Sequence, residues 1–310
     1  MSRDDRRAEV RAYFDRNVAE WDTVRYLDQT YVGRARHALR WLRSLGRGRR
    51  VLDLGCGTGR QTVAGTRAGL CVVSADFSFE MARATRQRVL RECPGAAPAV
   101  VVADALHPPF RPGAFDAVMA LGVVGFVPDR PGMLREARTL LAPGGELVCD
   151  VGVPERRVLF PALGAALDRP LRSLARLWRE RILRRPKTEG DDSGAPGWYG
   201  RHFVKHAPEE IEAMLCEAGF RPLARGGSGL GELRLLGRLV LPWRVQGALT
   251  RLAVVLSALP GGGWLARRSL TYVVRSARAP DLPARVPERA PVPPPVAALA
   301  DAPALRRQLL

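Results

Sequence analysis

An apolar run that leads directly into three closely spaced glycines restricts the fold of this chain more than any other feature. The segment VLDLGCGTGR, residues 51–60, places Gly55, Gly57 and Gly59 between that run and a helical stretch. Glycine permits a tight turn and lets the backbone approach a ligand closely, and the first N–H groups of the next helix lack partners within it. The segment predicts a strand–turn–helix unit with a ligand at the turn. A tight turn without a ligand is the alternative.

The glycine spacing separates this loop from two common nucleotide loops. The dinucleotide fingerprint G-x-G-x-x-G would need glycine at position 60, where this chain has Arg60, and a phosphate loop would need G-K-[ST], which is absent. Because glycine spacing alone is weak evidence, the motifs that follow it decide the interpretation.

Short apolar runs alternate with helical stretches from residue 51 onward. We expect strands at 51–54, 70–74, 99–102, 115–120 and 147–151, and helices at 60–68, 79–92, 130–141 and 208–218. This alternation indicates βαβ units, a parallel sheet and right-handed crossovers that place helices on both faces. The expected fold class is therefore α/β, a Rossmann-like doubly wound and mainly parallel sheet with a helical N-terminal lid and helical insertions.

Two aspartates follow the second and third expected strands. Asp76 ends VVSAD and can accept from both hydroxyls of a ribose, whereas Asp104 ends VVAD and can accept from an adenine amino group. Phe77 and Ala105 can flank the ring. A loop or helix-cap role is the alternative for either aspartate taken alone. Their order after successive strands favours a nucleotide-like ligand at the carboxyl edge of the sheet.

Five segments in sequence resemble the class I S-adenosylmethionine (SAM)-dependent methyltransferase superfamily. They are VLDLGCGTGR, SADFS, VVADALHPPF, FDAVMALGVVGFVPD and LLAPGGELVCD, and they cover roughly residues 45–152. The resemblance implies that SAM is the cofactor, with its methionine part at the glycine loop, its ribose and adenine at the acids, and its sulfonium near the end of the fourth strand. By this resemblance, the methionine part would lie against Asp53, Gly55, Cys56, Gly57 and Gly59. The ribose and adenine would lie against Asp76, Phe77, Asp104 and Ala105. The sulfonium would lie near Ala120 and Leu121.

The rest of the chain suggests three parts. Residues 1–46 read as a helical lid, and RAYFDRNVAEWD within them resembles the lid of small-molecule methyltransferases. Residues 47–278 form the expected SAM-binding domain, with insertions near 155–200 and 236–266; the latter is apolar and helix-like but broken by prolines. The Pro-rich residues 279–310 are expected to be a disordered tail.

The net charge of +18 is unevenly distributed, and almost all the basic residues are arginine. Residues 51–150 hold 10 basic and 10 acidic side chains, so the whole excess lies outside them. A positive field can attract an anionic small molecule, nucleic acid or a membrane surface, and residues 158–185 form a basic amphipathic segment suited to peripheral membrane contact. An arginine-rich solvated surface is the alternative.

Nucleic acid is not the favoured partner. The sequence contains no recognisable RNA-binding module, and the fourth strand lacks the Asn/Asp-Pro-Pro-aromatic tetrad of base methyltransferases.

The cysteines and apolar segments indicate the compartment. Five scattered cysteines, without C-x-x-C or histidines at metal spacing, support neither a disulfide framework nor a metal site. The charged N-terminus lacks a signal-peptide core, and no apolar stretch is long enough to span a bilayer. We therefore expect a cytoplasmic protein, with contact at the inner face of the membrane left open.

The sequence constrains the methyl acceptor less than it constrains the fold and the cofactor. Methyl transfer from a sulfonium mainly needs proximity and orientation, and a general base only when the acceptor must lose a proton. Tyr199, His202 and His206, in WYGRHFVKH, are the catalytic candidates, with surface or packing roles as the alternative. The preferred acceptor is an O, N or C atom of a small or lipid-like metabolite; RNA methylation and a non-catalytic SAM-binding scaffold are the alternatives.

Overall fold

The computed structural model describes residues 3–23, 29–163, 166–167, 202–231, 234–235, 238–239 and 243–280. Its strands are β1 Arg50–Leu54, β2 Cys71–Asp76, β3 Ala99–Val102, β4 Phe115–Ala120, β5 Leu141–Gly152, β6 Phe220–Ser228, β7 Arg234–Leu235, β8 Arg238–Leu239 and β9 Thr271–Arg278. Its helices are α1 Arg3–Arg16, α2 Val18–Thr23, α3 Gln29–Arg43, α4 Arg60–Arg67, α5 Phe79–Glu92, α6 Arg130–Leu140, α7 Pro208–Glu217, α8 Trp243–Ser257 and α9 Gly263–Arg267.

Seven of the strands form one sheet in the order β3-β2-β1-β4-β5-β9-β6. The five strands from β3 to β5 are parallel, and β9 runs antiparallel between β5 and β6. The strand order reverses between β1 and β4, which are neighbours in the sheet, and Asp53 of β1 pairs with Met119 of β4. In open α/β sheets this switch point is where ligands bind, beyond the carboxyl ends of the strands. The predicted α/β, mainly parallel fold is confirmed.

Helices cover both faces of the sheet because the central strands are buried on both sides. Trp41 and Leu42 of α3 pack on one face against Met119 and Val148. On the other face α6 and α7 contribute their apolar stripes, whose buried residues are Met133, Leu134, Ile211 and Leu215. The strands consequently read as continuous apolar runs, as buried parallel strands do.

Side-chain caps fix the helices that begin at the ligand edge. The Ser78 hydroxyl accepts from Met81 N–H at the start of α5 (3.1 Å), and Asp129 accepts from Gly132 N–H at the start of α6 (2.8 Å). Such caps satisfy N–H groups that the helix leaves without partners.

Three expected element boundaries differ from the structure. β2 spans 71–76 rather than 70–74. β5 begins at Leu141 rather than 147, because a register shift in β4 lets Leu141 pair with Phe115 before Glu146 pairs with Ala117. Part of the 236–266 segment is extended, since Arg238–Leu239 pairs with Arg234–Leu235 in a hairpin.

Two expectations fall largely on residues that are not described. These are the 155–200 insertion, of which 164–165 and 168–200 are outside the described residues, and the tail from 281 onward. The division into lid, domain and tail remains a prediction. Within the described residues, no helix has the length and hydropathy to cross a membrane.

Candidate active site

A cavity of about 330 Å³ lies at the carboxyl edge of the sheet. Its floor comes from the ends of β1, β2, β4 and β5, and α1 and α2 contribute a wall that includes Phe14 and Trp21. The cavity therefore occupies the switch point between β1 and β4, under the N-terminal helices.

The glycine loop brings the backbone to the cavity. Gly55 and Gly57 line it with positive φ angles of 74° and 56°. A Cβ at Gly55 would lie 2.1 Å from Val123 Cγ2, so no other residue fits there without displacing Val123. Cys56 also lines the cavity, and its N–H donates to the Ala75 carbonyl (3.1 Å), as does that of Gly55 (2.7 Å). These two hydrogen bonds hold the loop against β2, and its other side faces the cavity.

Gly59 has a different place from the other two glycines. It does not line the cavity; it precedes α4 at φ 81°, and a Cβ there would lie 2.9 Å from Thr85 Cα of α5. This glycine lets α4 and α5 approach each other behind the loop.

Asp76 presents a preorganised carboxylate. It accepts from Gly57 N–H (2.8 Å) and Ser78 N–H (2.9 Å), and it lines the cavity. Burial raises the pKa of Asp76 to about 6, against the opposing effect of these N–H groups. Fixed N–H donors orient the carboxylate, and its remaining lone pairs suit a vicinal diol.

Asp53 lies beneath the loop in a chain of polar contacts. Its carboxylate accepts from the Thr62 hydroxyl (2.6 Å), and that hydroxyl lies 2.8 Å from Ser74 Oγ. Burial and, to a smaller extent, the nearby charge of Asp76 raise the pKa of Asp53 to about 7. Asp53 also contributes to the cavity lining.

Asp104 lies at the end of the cavity where the adenine of SAM is expected. Its carboxylate accepts from Leu106 N–H (3.0 Å) and pairs with the Arg7 guanidinium of α1. The guanidinium carbons of Arg7 and Arg11 lie 5.7 and 5.8 Å from the Phe77 ring centroid. These contacts tie α1 to the end of the cavity that the sequence assigns to adenine, where Ala105 also lies.

An aromatic cluster forms the other half of the cavity. Phe14 contacts Trp21 and Phe126 edge to face at ring-centroid distances of 5.2 and 5.1 Å, and Phe126 contacts Phe203 at 4.9 Å. All four rings line the cavity. The sequence did not point to Phe126 or Phe203, because the cluster assembles from segments that are distant in the chain.

A buried ion pair in the same wall was also missed. Arg34 Nη1 of α3 lies 3.0 Å from Asp150 Oδ2 at the end of β5, and the other oxygen of Asp150 accepts from Gly122 N–H. Both side chains line the cavity. The available signal was the position of Asp150, an acid at a strand end like Asp76, but nothing in the sequence pointed to Arg34.

The predicted catalytic histidines lie beside the cavity rather than in its lining. His202 is buried, with Nε2 3.2 Å from Glu9 Oε1, and His206 Nδ1 lies 3.4 Å from Glu210 Oε2. Lys205, between them, does line the cavity. Tyr199 is outside the described residues. Of the two residues assigned to the sulfonium end, Leu121 lines the cavity and Ala120 lies buried beneath it. The catalytic role of the histidines stays a prediction.

Comparisons with known proteins agree with this arrangement. Residues 52–149 match a family described as a methyltransferase domain. The demethylmenaquinone methyltransferase of Mycobacterium tuberculosis is 36% identical over 174 residues, which are 54% of this chain and 69% of that protein.

Two solved structures share the fold. The 1,6-didemethyltoxoflavin-N1-methyltransferase of Burkholderia thailandensis, with bound 1,6-didemethyltoxoflavin and S-adenosylhomocysteine (SAH), aligns over 91% of this chain and 92% of its own, with 18% identity and a TM-score of 0.54. Magnesium protoporphyrin IX methyltransferase of Synechocystis, with bound SAH, aligns over 88% and 99%, with 17% identity and a TM-score of 0.53. The fold, the glycine loop and the mycobacterial relative agree. This chain belongs to the class I SAM-dependent methyltransferase superfamily, and SAM is its cofactor.

Proposed function

We propose that this methyltransferase transfers the methyl group of SAM to an O, N or C atom of a small or lipid-like metabolite. The observation that carries the proposal is one continuous cavity, with the glycine loop and Asp76 at one end and the aromatic cluster of Phe14, Trp21, Phe126 and Phe203 at the other. Apolar walls with a few placed polar groups are typical of small-molecule sites. The relative that methylates demethylmenaquinone supports the same class of acceptor.

Methyl transfer from SAM depends more on the placement of the acceptor than on acid–base catalysis. SAM supplies an activated methyl group that leaves by in-line displacement. The residues of this chain would hold the acceptor in line with it and keep water out, which is the larger part of catalysis in such a reaction. The four aromatic rings do both, because they contact one another and leave little room for solvent between them.

The buried pair of Arg34 and Asp150 would orient a polar atom of the acceptor. The pair is one of the few charged groups on the apolar part of the cavity wall, and its members are held by each other and by Gly122 N–H. A guanidinium donates to an acceptor oxygen, and a carboxylate accepts from a hydroxyl or amine. An acceptor with one such group would enter with that group toward the pair.

The acceptor is proposed to be anionic and to be presented at a membrane surface. Arg6, Arg7, Arg11 and Lys205 lie around the cavity and would attract an acid. Exposed apolar side chains on α8, among them Leu252 and Val255, offer a surface that can contact lipid. The basic segment 158–185, which is mostly outside the described residues, would add to this contact.

A label-partition assay tests the proposal. The purified chain is incubated with SAM labelled in its methyl group and with cell extract, which is then separated into organic-soluble, aqueous small-molecule, RNA and protein fractions. We expect label in the organic-soluble or small-molecule fraction, at least tenfold above an Asp76→Asn variant, because that substitution weakens cofactor binding.

The other fractions distinguish the alternatives. Label in RNA or protein would contradict the proposed acceptor and assign the positive surface to a polymer. If SAH binds but no fraction is labelled above the Asp76→Asn level, the chain acts as a SAM-binding scaffold in that extract, and the proposal fails for the acceptors it contains.

A further inference from the structure

Three buried side-chain nitrogens beside the cavity have no hydrogen-bond partner among the residues that the structure describes. They are Arg6 Nε of α1, Arg130 Nε at the first residue of α6, and His206 Nε2 in the segment that precedes α7. Buried donors in proteins are nearly always satisfied, so each exception needs an explanation such as an absent ion or ligand.

Two of these groups are arginines that lack a counter-ion. The Nη2 of Arg6 donates to the His202 carbonyl (3.1 Å), and Arg130 has neither an ion pair nor a side-chain hydrogen bond within the described chain. Burial and, next, the like charge of Arg6 lower the pKa of Arg130. The two guanidinium groups therefore repel each other.

His206 adds a third donor to the pair. Its side chain is 12% exposed, and its Nδ1 faces Glu210 Oε2 at 3.4 Å, which leaves Nε2 for another partner. Burial and the charge of Arg130 lower the pKa of His206, against the opposing effect of Glu210. His206 thus lies in the same positive field. Two nearby acids have partners of their own, since Glu9 Oε1 is 3.2 Å from His202 Nε2 and Asp129 accepts from Gly132 N–H.

Several other partly buried arginines among the described residues are paired. Arg225 and Arg267 share the carboxylate of Glu212, and Arg275 contacts Glu146 at 2.6 Å. The cost of burying a charge falls only when a partner of opposite sign is near. Arg6 and Arg130 differ from these paired arginines, and an anion between them would supply the missing partner of opposite charge.

We propose that Arg6, Arg130 and His206 form an oxyanion subsite that binds a carboxylate or phosphate group. Guanidinium forks suit the planar or tetrahedral oxygens of both groups. Arg6 also lines the cavity, as do Phe203 and Lys205 from the segment that carries His206. The subsite is thus continuous with the aromatic cluster and takes the acidic end of the acceptor while the apolar body lies among the rings. This last assignment rests on the proposed function, whereas anion binding itself does not.

The test is titration of the full chain with two probes, inorganic phosphate and acetate, at constant ionic strength and without SAM or acceptor. Calorimetry reports affinity, and NMR of the His206 ring reports its pKa. We expect saturable binding of at least one probe and a rise in the His206 pKa, because an anion beside Arg130 and Arg6 offsets their charges. Arg130→Gln should lower the affinity about tenfold or more, whereas Arg130→Lys should stay within about threefold of wild type.

Arg111→Gln is the matched control. Arg111 is exposed and precedes β4, so it lies at the edge of the sheet opposite the cavity, and its loss removes the same charge. Affinity equal to wild type in this variant supports the subsite. No saturable binding of either probe, or the same affinity in Arg130→Gln and Arg111→Gln, would overturn it. Because neither SAM nor acceptor is present, failure of methyl transfer with intact anion binding would contradict only the proposed function.

Discussion

At the scale of single residues, Asp53 and Asp76 set the pH behaviour of the molecule. Burial raises their pKa values to about 7 and about 6, above the ordinary value of 3.8. Between roughly pH 4 and pH 7, these two carboxyl groups therefore bind more protons in the folded state than in the unfolded chain. The contribution of these two groups to stability is greatest below this range and is lost as pH rises through it.

Asp53→Asn should flatten this dependence. An amide oxygen can still accept from the Thr62 hydroxyl, but it carries no charge to bury. Urea unfolding of the wild type should lose about 1–3 kcal/mol of this contribution between pH 5 and pH 8, and the variant should lose much less. Asp76→Asn is the matched comparison, and it should remove the part of the slope below about pH 6. Equal slopes in all three proteins would show that burial does not raise the pKa values of these two carboxyl groups.

Cofactor affinity should depend on pH in the opposite direction. Asp76 must be ionised to accept from ribose hydroxyls, and its pKa in the empty site is about 6. Calorimetric titration with SAH should give constant affinity above about pH 7 and a loss of about tenfold at pH 5. An affinity that does not change from pH 8 to pH 5 would contradict the assignment of Asp76 to the ribose.

Residues near the glycine loop were predictable, and those of the acceptor side were not. Asp76 and Asp104 follow strands whose apolar runs are plain in the sequence, so their position at the ligand edge follows from the fold class. Arg34 and Asp150 are 116 residues apart, and only the packing of α3 on the sheet brings them together. Phe203 fits because Gly125 and Gly152 leave the space that a side chain would fill, a relation that no local pattern records.

At the scale of elements, α1 and the loop after β4 build the acceptor half of the cavity. Phe126 lies between Phe14 of α1 and Phe203 and touches both rings. The Phe126 side chain thus joins α1, the loop after β4 and the segment that carries Phe203.

Phe126→Ala should separate acceptor binding from cofactor binding. Removal of the central ring should lower kcat/KM for the acceptor by about 10–100-fold, through lost burial and ring contacts, and change the KM for SAM less than about threefold. Initial rates with the acceptor found by the partition assay provide the measurement. Phe110→Ala, which removes a ring that packs on Phe115 outside the cavity, is the control. Equal losses for acceptor and SAM would contradict two separate halves.

Element boundaries followed the sequence where periodicity was strong. The helices at 60–67, 79–92 and 130–140 agree with their apolar spacing, and the latter two also begin at Ser78 and Asp129 caps. Residues 142–145 contain Pro143 and two glycines, which are typical of a turn. β5 nevertheless begins at Leu141, because Leu141 and Glu146 on either side of them pair with Phe115 and Ala117 of β4. Pairing with a strand that is distant in the chain sets this boundary, and the local sequence does not indicate such pairing.

At the scale of the whole molecule, charge and exposed apolar surface lie outside the neutral centre of the sequence. The net charge of +18 arises from residues before 51 and after 150. On α8, Leu252, Val255 and Leu256 are 52%, 57% and 42% exposed. The sequence indicated the charge asymmetry and the apolar 236–266 segment, but the surface that α8 leaves open became visible only in the structure.

The chain should bind anionic vesicles through this surface. Sedimentation with vesicles that contain phosphatidylglycerol should carry down the wild type at low salt, and about tenfold higher salt should release most of it, since the attraction is screened. Val255→Asp should weaken binding several-fold, whereas Arg111→Gln should have a small effect. Binding only to neutral vesicles, or equal binding by Val255→Asp, would contradict peripheral contact through α8.

One titration tests the central claim most directly, namely that the cavity at the carboxyl edge of the sheet is the SAM site and that Asp76 holds the ribose. SAH is titrated calorimetrically into the wild type, Asp76→Asn and Glu92→Gln; Glu92 ends α5 at the far end from the cavity. We predict saturable binding to the wild type and Glu92→Gln with equal affinity, and a loss of about 10–100-fold in Asp76→Asn. Equal affinity in all three proteins would place the cofactor elsewhere and contradict the account.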